Sequence, residues 1–555
     1  AQYHLLANDD GHQLGAAYRF LRDVEHRLQM ENNLQTHTLP VEERARLRLA
    51  RLMDFPSLEK FETALRTHTG NVRRIYDRLL KSESAGAETG LPPEFDGAES
   101  EWEALLAARS FREPATAFRV FKEFAEGPGD VHVAPRTAEL ARELIPKFLA
   151  LCPSQKAEDG RQKAGVKKTA SDVRPQTPDL RPPASGLRLS DPDRVLTRLA
   201  SFISAYAARV PLLELWTGNS ALFEMMLMLF DRSEFLAEIA IRTPDLIDDV
   251  VAGERLRQRK TAEQILEELH YGREDADQFL WLRQYHETEL MRLGLRDILG
   301  LVDFEQNLAE LSALADACLQ YALEVVMRKN KIKKPPLVII GLGKLGGCEI
   351  DYGSDLDLLF VTDAQAKELP KLQRLAAEVM ELMSRRTEQG IVFHTDARLR
   401  PDGEKGLLVN TLGAFEDYYR HRAQLWEIQA LTRTRPVAGN LKLGAQFQDL
   451  AAVLTDFGTT LKTRNRRGEL CEPPTRSGRR GTPPSDKRKN AGLPDCYTPD
   501  WKKQIHQMRL RIEKERTPRG QDDLAIKTGQ GGLMDAEFIA QTLCLENGWH
   551  EPNTL

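Results

Sequence analysis

The stretch Leu337-Val-Ile-Ile-Gly-Leu-Gly-Lys-Leu-Gly-Gly-Cys-Glu-Ile-Asp-Tyr-Gly-Ser-Asp-Leu-Asp-Leu-Leu-Phe-Val361 decides the fold. An apolar strand runs into a glycine turn, and a second apolar strand opens with Asp355-Leu356-Asp357. Residues two apart on a strand point to the same face. This spacing therefore predicts two carboxylates side by side, a few residues past a turn whose bare backbone can approach a phosphate. Such a pair suits a divalent metal carrying a nucleoside triphosphate.

The same glycines spell a rival. Gly341-Leu-Gly343-Lys-Leu-Gly346 matches the dinucleotide fingerprint, and Asp363 follows at about 20 residues. A dinucleotide unit needs a crossover helix between two parallel strands. Only Gly347 to Ser354 are available for it, and they contain the turn signal Tyr352-Gly353-Ser354. No crossover fits. A P-loop is weaker still, since no Gly-Lys-Ser/Thr follows four spacer residues. What remains is Gly346-Gly347, with Lys344 and Ser354 beside it, followed by Asp-x-Asp at the head of a strand. That pattern resembles the nucleotidyltransferase superfamily, which includes the polymerase-β-like enzymes.

A third carboxylate lies in Phe393-His-Thr-Asp396-Ala-Arg398-Leu-Arg400-Pro401. A strand is predicted over Val392 to Leu399, and its alternation puts Asp396, Arg398 and Arg400 on one face. Three carboxylates, Asp355, Asp357 and Asp396, can hold two metal ions. The guanidinium forks of Arg398 and Arg400 suit phosphate oxygens.

Around this core the chain reads as helical. At 555 residues it is too long for one core, and the usual domain size predicts roughly three to four units. Residues 1–152 carry helical periods, among them Leu14, Tyr18, Leu21, Val24 and Leu28, with a helix expected to start at Pro40. Residues 153–189 turn to Lys, Pro, Ser, Gly and Asp, the composition of a disordered linker. Residues 190–330 predict a helical bundle, with Leu222 to Phe230 as a buried core helix. Residues 331–445 mix strand and helix, with strands at Leu337–Ile340 and Leu356–Val361 and a helix over Leu369–Arg386. Residues 457–497 lack any apolar period and read as an irregular, disordered insertion. Residues 498–555 open a further helical domain. The chain starts inside a helical pattern and stops at Leu555 without a cap, as expected for a piece of a longer protein.

Net charge is -5, so no global basic field invites nucleic acid. No apolar run reaches the roughly 18 to 20 residues that span a bilayer. Six cysteines without metal-ligand spacing read as free thiols in a reducing cytosol, which predicts a cytoplasmic protein.

Four motifs narrow the reading: Gly341-Leu-Gly-Lys-Leu-Gly-Gly347, Tyr352-Gly-Ser-Asp-Leu-Asp-Leu-Leu-Phe-Val361, Asp396-Ala-Arg-Leu-Arg-Pro-Asp-Gly-Glu-Lys-Gly-Leu-Leu-Val409 and Trp426-Glu-Ile-Gln-Ala-Leu-Thr-Arg-Thr-Arg435. With Ile526-Lys527, Gly531-Gly532 and Asp535-Ala-Glu537-Phe538 they resemble glutamine synthetase adenylyltransferase. That family has two related nucleotidyltransferase halves. One removes AMP from glutamine synthetase by phosphorolysis and the other attaches AMP from ATP to a tyrosine. This chain is similar to the second half, and residues 14–85 are similar to the helical tail of the first.

The resemblance implies an α+β protein, with a polymerase-β-like nucleotidyltransferase core of mixed sheet and helices flanked by all-α helical bundle domains. It implies Asp355, Asp357 and Asp396 as catalytic Mg²⁺ ligands, and Gly346, Gly347, Lys344, Ser354, Arg398 and Arg400 as nucleotide-binding residues. ATP is the implied substrate, glutamine synthetase the implied acceptor and a PII-type nitrogen signal protein the implied partner. Spacing assigns no role to Glu427, Gln429, Arg433, Arg435, Lys527, Asp535 or Glu537. Two other classes stay open: a regulatory binding module without activity, and a nucleotidyltransferase with another acceptor.

Overall fold

The sequence period changes at Lys331-Ile-Lys-Lys-Pro-Pro336, and the architecture changes with it. The computed structural model describes residues 39–80 except 41, 91–127 except 93, 134–153, 188–206, 209–251, 255–387, 390–458, 493–517 and 525–554, with scattered positions from 13 to 27. They divide into two units, Ala1–Asp179 and Leu180–Leu555. The expected linker and the expected basic insertion fall mostly on 154–187 and 459–492, outside the described residues.

The first unit contains the helices Glu43–Leu52, Leu58–Leu80, Glu99–Ala108, Pro114–Glu126 and Pro135–Leu151. Pro40 does not open a helix; helical geometry begins only at Glu43. Pro114 and Pro135 do open theirs, at the one position where a missing N–H leaves no bond unmade.

The second unit begins as a helical bundle. Helix α1 (Ser220–Arg232) carries the Leu222–Phe230 run, and every large apolar side chain in that run is buried. It is apolar all round because it is wrapped all round. Helices α2 (Gln278–Ile298) and α3 (Phe304–Lys329) enclose a charged cluster. Arg292 pairs with Glu289 at 2.8 Å and Glu310 at 2.5 Å, Arg296 pairs with Glu310, and Lys260 reaches Glu268 and Glu289 at 2.6 Å each. Charge survives burial here because each group has an opposite partner.

Beyond Pro336 comes a mixed sheet. Strand β1 (Leu337–Gly341) pairs antiparallel with β2 (Leu356–Thr362), Leu337 opposite Thr362 and Gly341 opposite Leu358. The short strands β3 (Thr395–Asp396) and β4 (Val409–Thr411) run parallel to successive parts of β2, and β5 (Arg435–Gly439) runs antiparallel along β1. An antiparallel β1–β2 pair excludes a dinucleotide-binding unit, which requires parallel neighbours. One turn of helix, α4 (Gly343–Gly346), sits in the connection.

Alternation along the strands divides the core. Leu337, Ile339, Leu358 and Phe360 pack toward α3 and the helix α5 (Leu369–Ser384). Val338, Ile340, Leu359 and Val361 pack toward Phe415, Tyr419 and Phe447 on the other face. The sheet is thus covered on both sides, which explains the unbroken apolar runs. The chain is α+β: this sheet with helical domains around it. Toward the C-terminus stand α6 (Trp501–Arg516) and α7 (Leu533–Asn547).

One expectation needs correction. No strand spans Val392 to Leu399; only Thr395 and Asp396 are extended in the ladder. The Asp396 carboxylate accepts the Arg398 backbone N–H at 2.8 Å and bends the chain out of the sheet. The three-residue face of Asp396, Arg398 and Arg400 is accordingly a turn. Among the described residues, no helix is long and apolar enough to cross a membrane.

Candidate active site

Three aspartates lie near the start of β2. Asp357 lies directly opposite Asp396 in the parallel β2–β3 register, and Asp355 stands two residues earlier, just before the strand begins. The Leu356 N–H donates to the His394 carbonyl at 2.8 Å and locks this register. The Asp357 carboxyl is pushed up to about 6 by burial first, then by the charges of Asp396 and Asp355; Arg398 and Lys527 pull the other way. Asp396 is held below the ordinary carboxylate range, chiefly by hydrogen bonds from the Arg398 side chain. The Arg398 Nε lies 2.8 Å from Oδ2 and 3.0 Å from Oδ1 of Asp396.

Asp355, Asp396, Arg398 and Arg400 line one open cleft of about 690 Å³, with Met380 and Leu408 as its apolar wall. Arg400 sits differently from Arg398. Its guanidinium donates to the carbonyls of Ala397, Glu404 and Gly406 at 2.8, 3.0 and 3.2 Å, so it also shapes the loop that forms the cleft rim.

Lys344 and Ser354 converge on a neighbouring carboxylate. The Lys344 Nζ pairs with Asp351 at 2.6 Å, and the Ser354 hydroxyl donates to the other Asp351 oxygen at 2.6 Å. Burial opposes ionisation of Asp351, but these bonds prevail and keep its carboxyl below the usual range. Gly346 and Gly347 are packing positions. A Cβ on Gly346 would overlap the Arg433 carbonyl, and one on Gly347 would lie 2.6 Å from the Arg433 guanidinium and 2.7 Å from the Pro552 carbonyl. The glycine that faces the carboxylates is Gly343. It adopts φ +54°, and a Cβ there would stand 3.0 Å from Asp357 Oδ2.

The residues without an assigned role now have contacts. Glu427 caps its own helix at the Gln424 N–H and accepts the Tyr418 hydroxyl at 2.7 Å. Gln429 donates to Gln541 of α7 at 2.7 Å. Arg435 pairs with Asp316 of α3 at 2.6 Å and donates to the Leu345 carbonyl at 3.0 Å. Asp535 pairs with Arg509 of α6 at 2.6 Å. Lys527 carries charge toward Asp357, a role its spacing gave no means to find.

Three hard oxygen donors fit a divalent cation such as Mg²⁺ in chemistry. After burial, the charges of Asp396 and Asp355 lift the Asp357 carboxyl, and a cation would neutralise that negative charge. Arg398 occupies part of that role, and among the described residues no three ligating side chains stand close enough together to hold an ion.

Against this geometry, residues 223–450 match the family model of glutamate-ammonia ligase adenylyltransferase. Residues 1–80 match the model of GlnD PII-uridylyltransferase. The first match contains β1 to β5 and all three aspartates.

Proposed function

From the premise that residues 223–450 belong to the glutamate-ammonia ligase adenylyltransferase family, a nucleotidyltransferase family, we propose that this chain transfers AMP from ATP to a tyrosine of glutamine synthetase and releases pyrophosphate. What supports the reading is the register of Asp357 against Asp396, with Asp355 two residues before Asp357, inside the matched stretch.

In this reading Asp355, Asp357 and Asp396 would hold Mg²⁺ once drawn together, and the ion would supply positive charge to the triphosphate. Arg398 exchanges its Asp396 pair for phosphate oxygens, and Arg400 keeps the rim of the cleft in place. Lys344 and Ser354 hold Asp351 and so fix the turn that aims Asp355. The tyrosine hydroxyl attacks the α-phosphorus in line with the departing pyrophosphate. Positioning and charge carry the rate. A PII-type protein governs the reaction from the helical regions.

The test is transfer of radiolabelled AMP from ATP to purified glutamine synthetase, wild type against Asp355→Asn, with circular dichroism as a check on folding. Label that reaches the synthetase equally well with both proteins would sink the reading. The match of residues 1–80 to a uridylyltransferase favours one second reading, UTP as donor and a PII-type protein as acceptor. Labelled UTP with such a protein, run beside ATP with glutamine synthetase, separates the two.

A further inference from the structure

Arg433 is 4% exposed, and it packs over the glycine turn. Its carbonyl fills the space over Gly346, and its guanidinium fills the space over Gly347. The same guanidinium pairs with Glu349, two residues past the glycine pair, and reaches Glu537 of α7 at 3.7 Å. Its Nε donates to the Pro552 carbonyl at 3.1 Å. The segment after α7 adds two bonds of its own. The Asn553 side chain donates to the Gly347 carbonyl at 3.0 Å, and the Thr554 N–H donates to Glu349.

One buried fork therefore joins three parts of the chain: the loop before β5, the glycine turn, and α7 with residues 551–554. A buried guanidinium held by two carboxylates and a carbonyl has one geometry, because its donors are fixed in a plane. Helix α4 leads directly into the turn it grips, and a Cβ on the first residue of α4, Gly343, would stand 3.0 Å from Asp357 Oδ2.

We propose that Arg433 is a positioning residue that sets the glycine turn, and through it Asp357, by docking the turn onto α7 and residues 551–554. Gly346 and Gly347 are glycine because Arg433 and Pro552 occupy the space a side chain would need. Correct placement of the reacting groups thus depends on a segment about 200 residues further along the chain. The proposal rests on the adenylyl-transfer reading for its kinetic arm and is independent of it for its structural arm.

The structural arm is hydrogen–deuterium exchange read on peptides covering residues 343–349. Arg433→Met should speed exchange there about tenfold or more while peptides from β2 exchange as before. Asn553→Ala, which removes one bond and buries no charge, should shift the same peptides in the same direction by less. If Arg433→Met does not fold, Asn553→Ala and Glu537→Gln decide. Unchanged exchange at 343–349 in the folded variants overturns the proposal, whatever the activity.

The kinetic arm separates positioning from phosphate binding. A displaced turn lowers kcat, by up to about 100-fold for a shift near 1 Å, with KM for ATP nearly constant. Arg433→Lys keeps the charge, loses the fork and should recover only part of kcat. Gly347→Ala should lower kcat in the wild-type background and add little to Arg433→Ala, since the two changes act on one contact. Gly347→Ala raising KM for ATP equally in both backgrounds would assign the glycine to phosphate and overturn the proposal. A wild-type protein that transfers no AMP sinks the functional reading and leaves the exchange experiment to judge Arg433.

Discussion

Asp357 stands directly across from Asp396, Cα to Cα, where β2 and β3 run parallel. Burial first, and then repulsion from Asp396 and Asp355, raise the Asp357 carboxyl to about 6. The folded carboxyl lies above its unfolded value of 3.8, so stability is lost as pH rises from about 3.8 through about 6, and the whole cost of the charge stands above that. Asp357→Asn should remove both metal-dependent AMP transfer and this repulsion. In chelator-containing buffer at pH 7.5 we expect the variant to gain on the order of 1 kcal/mol in urea unfolding. Loss of stability instead would contradict the crowding.

His286 on α2 predicts an acid limit to stability. It is fully enclosed, its ring stands edge-on to Phe393 at 4.7 Å, and neither ring nitrogen has a hydrogen-bond partner among the described residues. Burial, then the nearby Arg283, lowers its pKa from 6.5 to about 3. The unfolded chain therefore binds the extra proton throughout that window. Stability is full above pH 6.5 and falls as pH drops toward 3, by about 2 kcal/mol at pH 5. His286→Phe should flatten this dependence, as read by urea midpoints at pH 8 and pH 5. An equally steep loss in the variant would assign the acid sensitivity to other groups.

Glu310 predicts the largest single loss. Its carboxylate is completely buried and accepts from Arg292, Arg296 and the Lys260 backbone N–H, the last at 3.0 Å. Glu310→Ala leaves buried Arg296 without its carboxylate and Arg292 with Glu289 alone, at a cost of about 3–5 kcal/mol. Equilibrium unfolding measures it. Loss below 1 kcal/mol would mean the cluster relaxes around the gap.

What could be read in advance follows from how local each signal is. The apolar runs at Leu337–Ile340 and Leu356–Val361 fixed two strands within one or two residues, because a strand buried on both faces leaves a nearly continuous apolar run. The eight residues Gly347 to Ser354 excluded a crossover for the same reason: chain length is local. The extension past Asp396 was misread because a side chain, accepting the Arg398 N–H, overrides alternation. Arg433 was opaque for a different reason. Its partners Glu349 and Pro552 lie 84 and 119 residues away, and no local period encodes such contacts.

Gly343, the first glycine of the one-turn helix, rather than the Gly346-Gly347 pair, is the one that meets a carboxylate. Its φ of +54° is a left-handed conformation, and a Cβ would stand 3.0 Å from Asp357 Oδ2. Gly343→Ala therefore meets two penalties at once. The backbone conformation alone costs roughly 1–2 kcal/mol for a residue with a Cβ. The methyl group then presses on Asp357 Oδ2, and Asp357 must move. We expect a modest loss of stability by urea unfolding together with a larger loss of AMP transfer. Gly413, where a Cβ would meet nothing within 4 Å, is the control. Gly413→Ala should leave both measurements close to wild type, and a drop in transfer there equal to that of Gly343→Ala would remove Gly343 from the site.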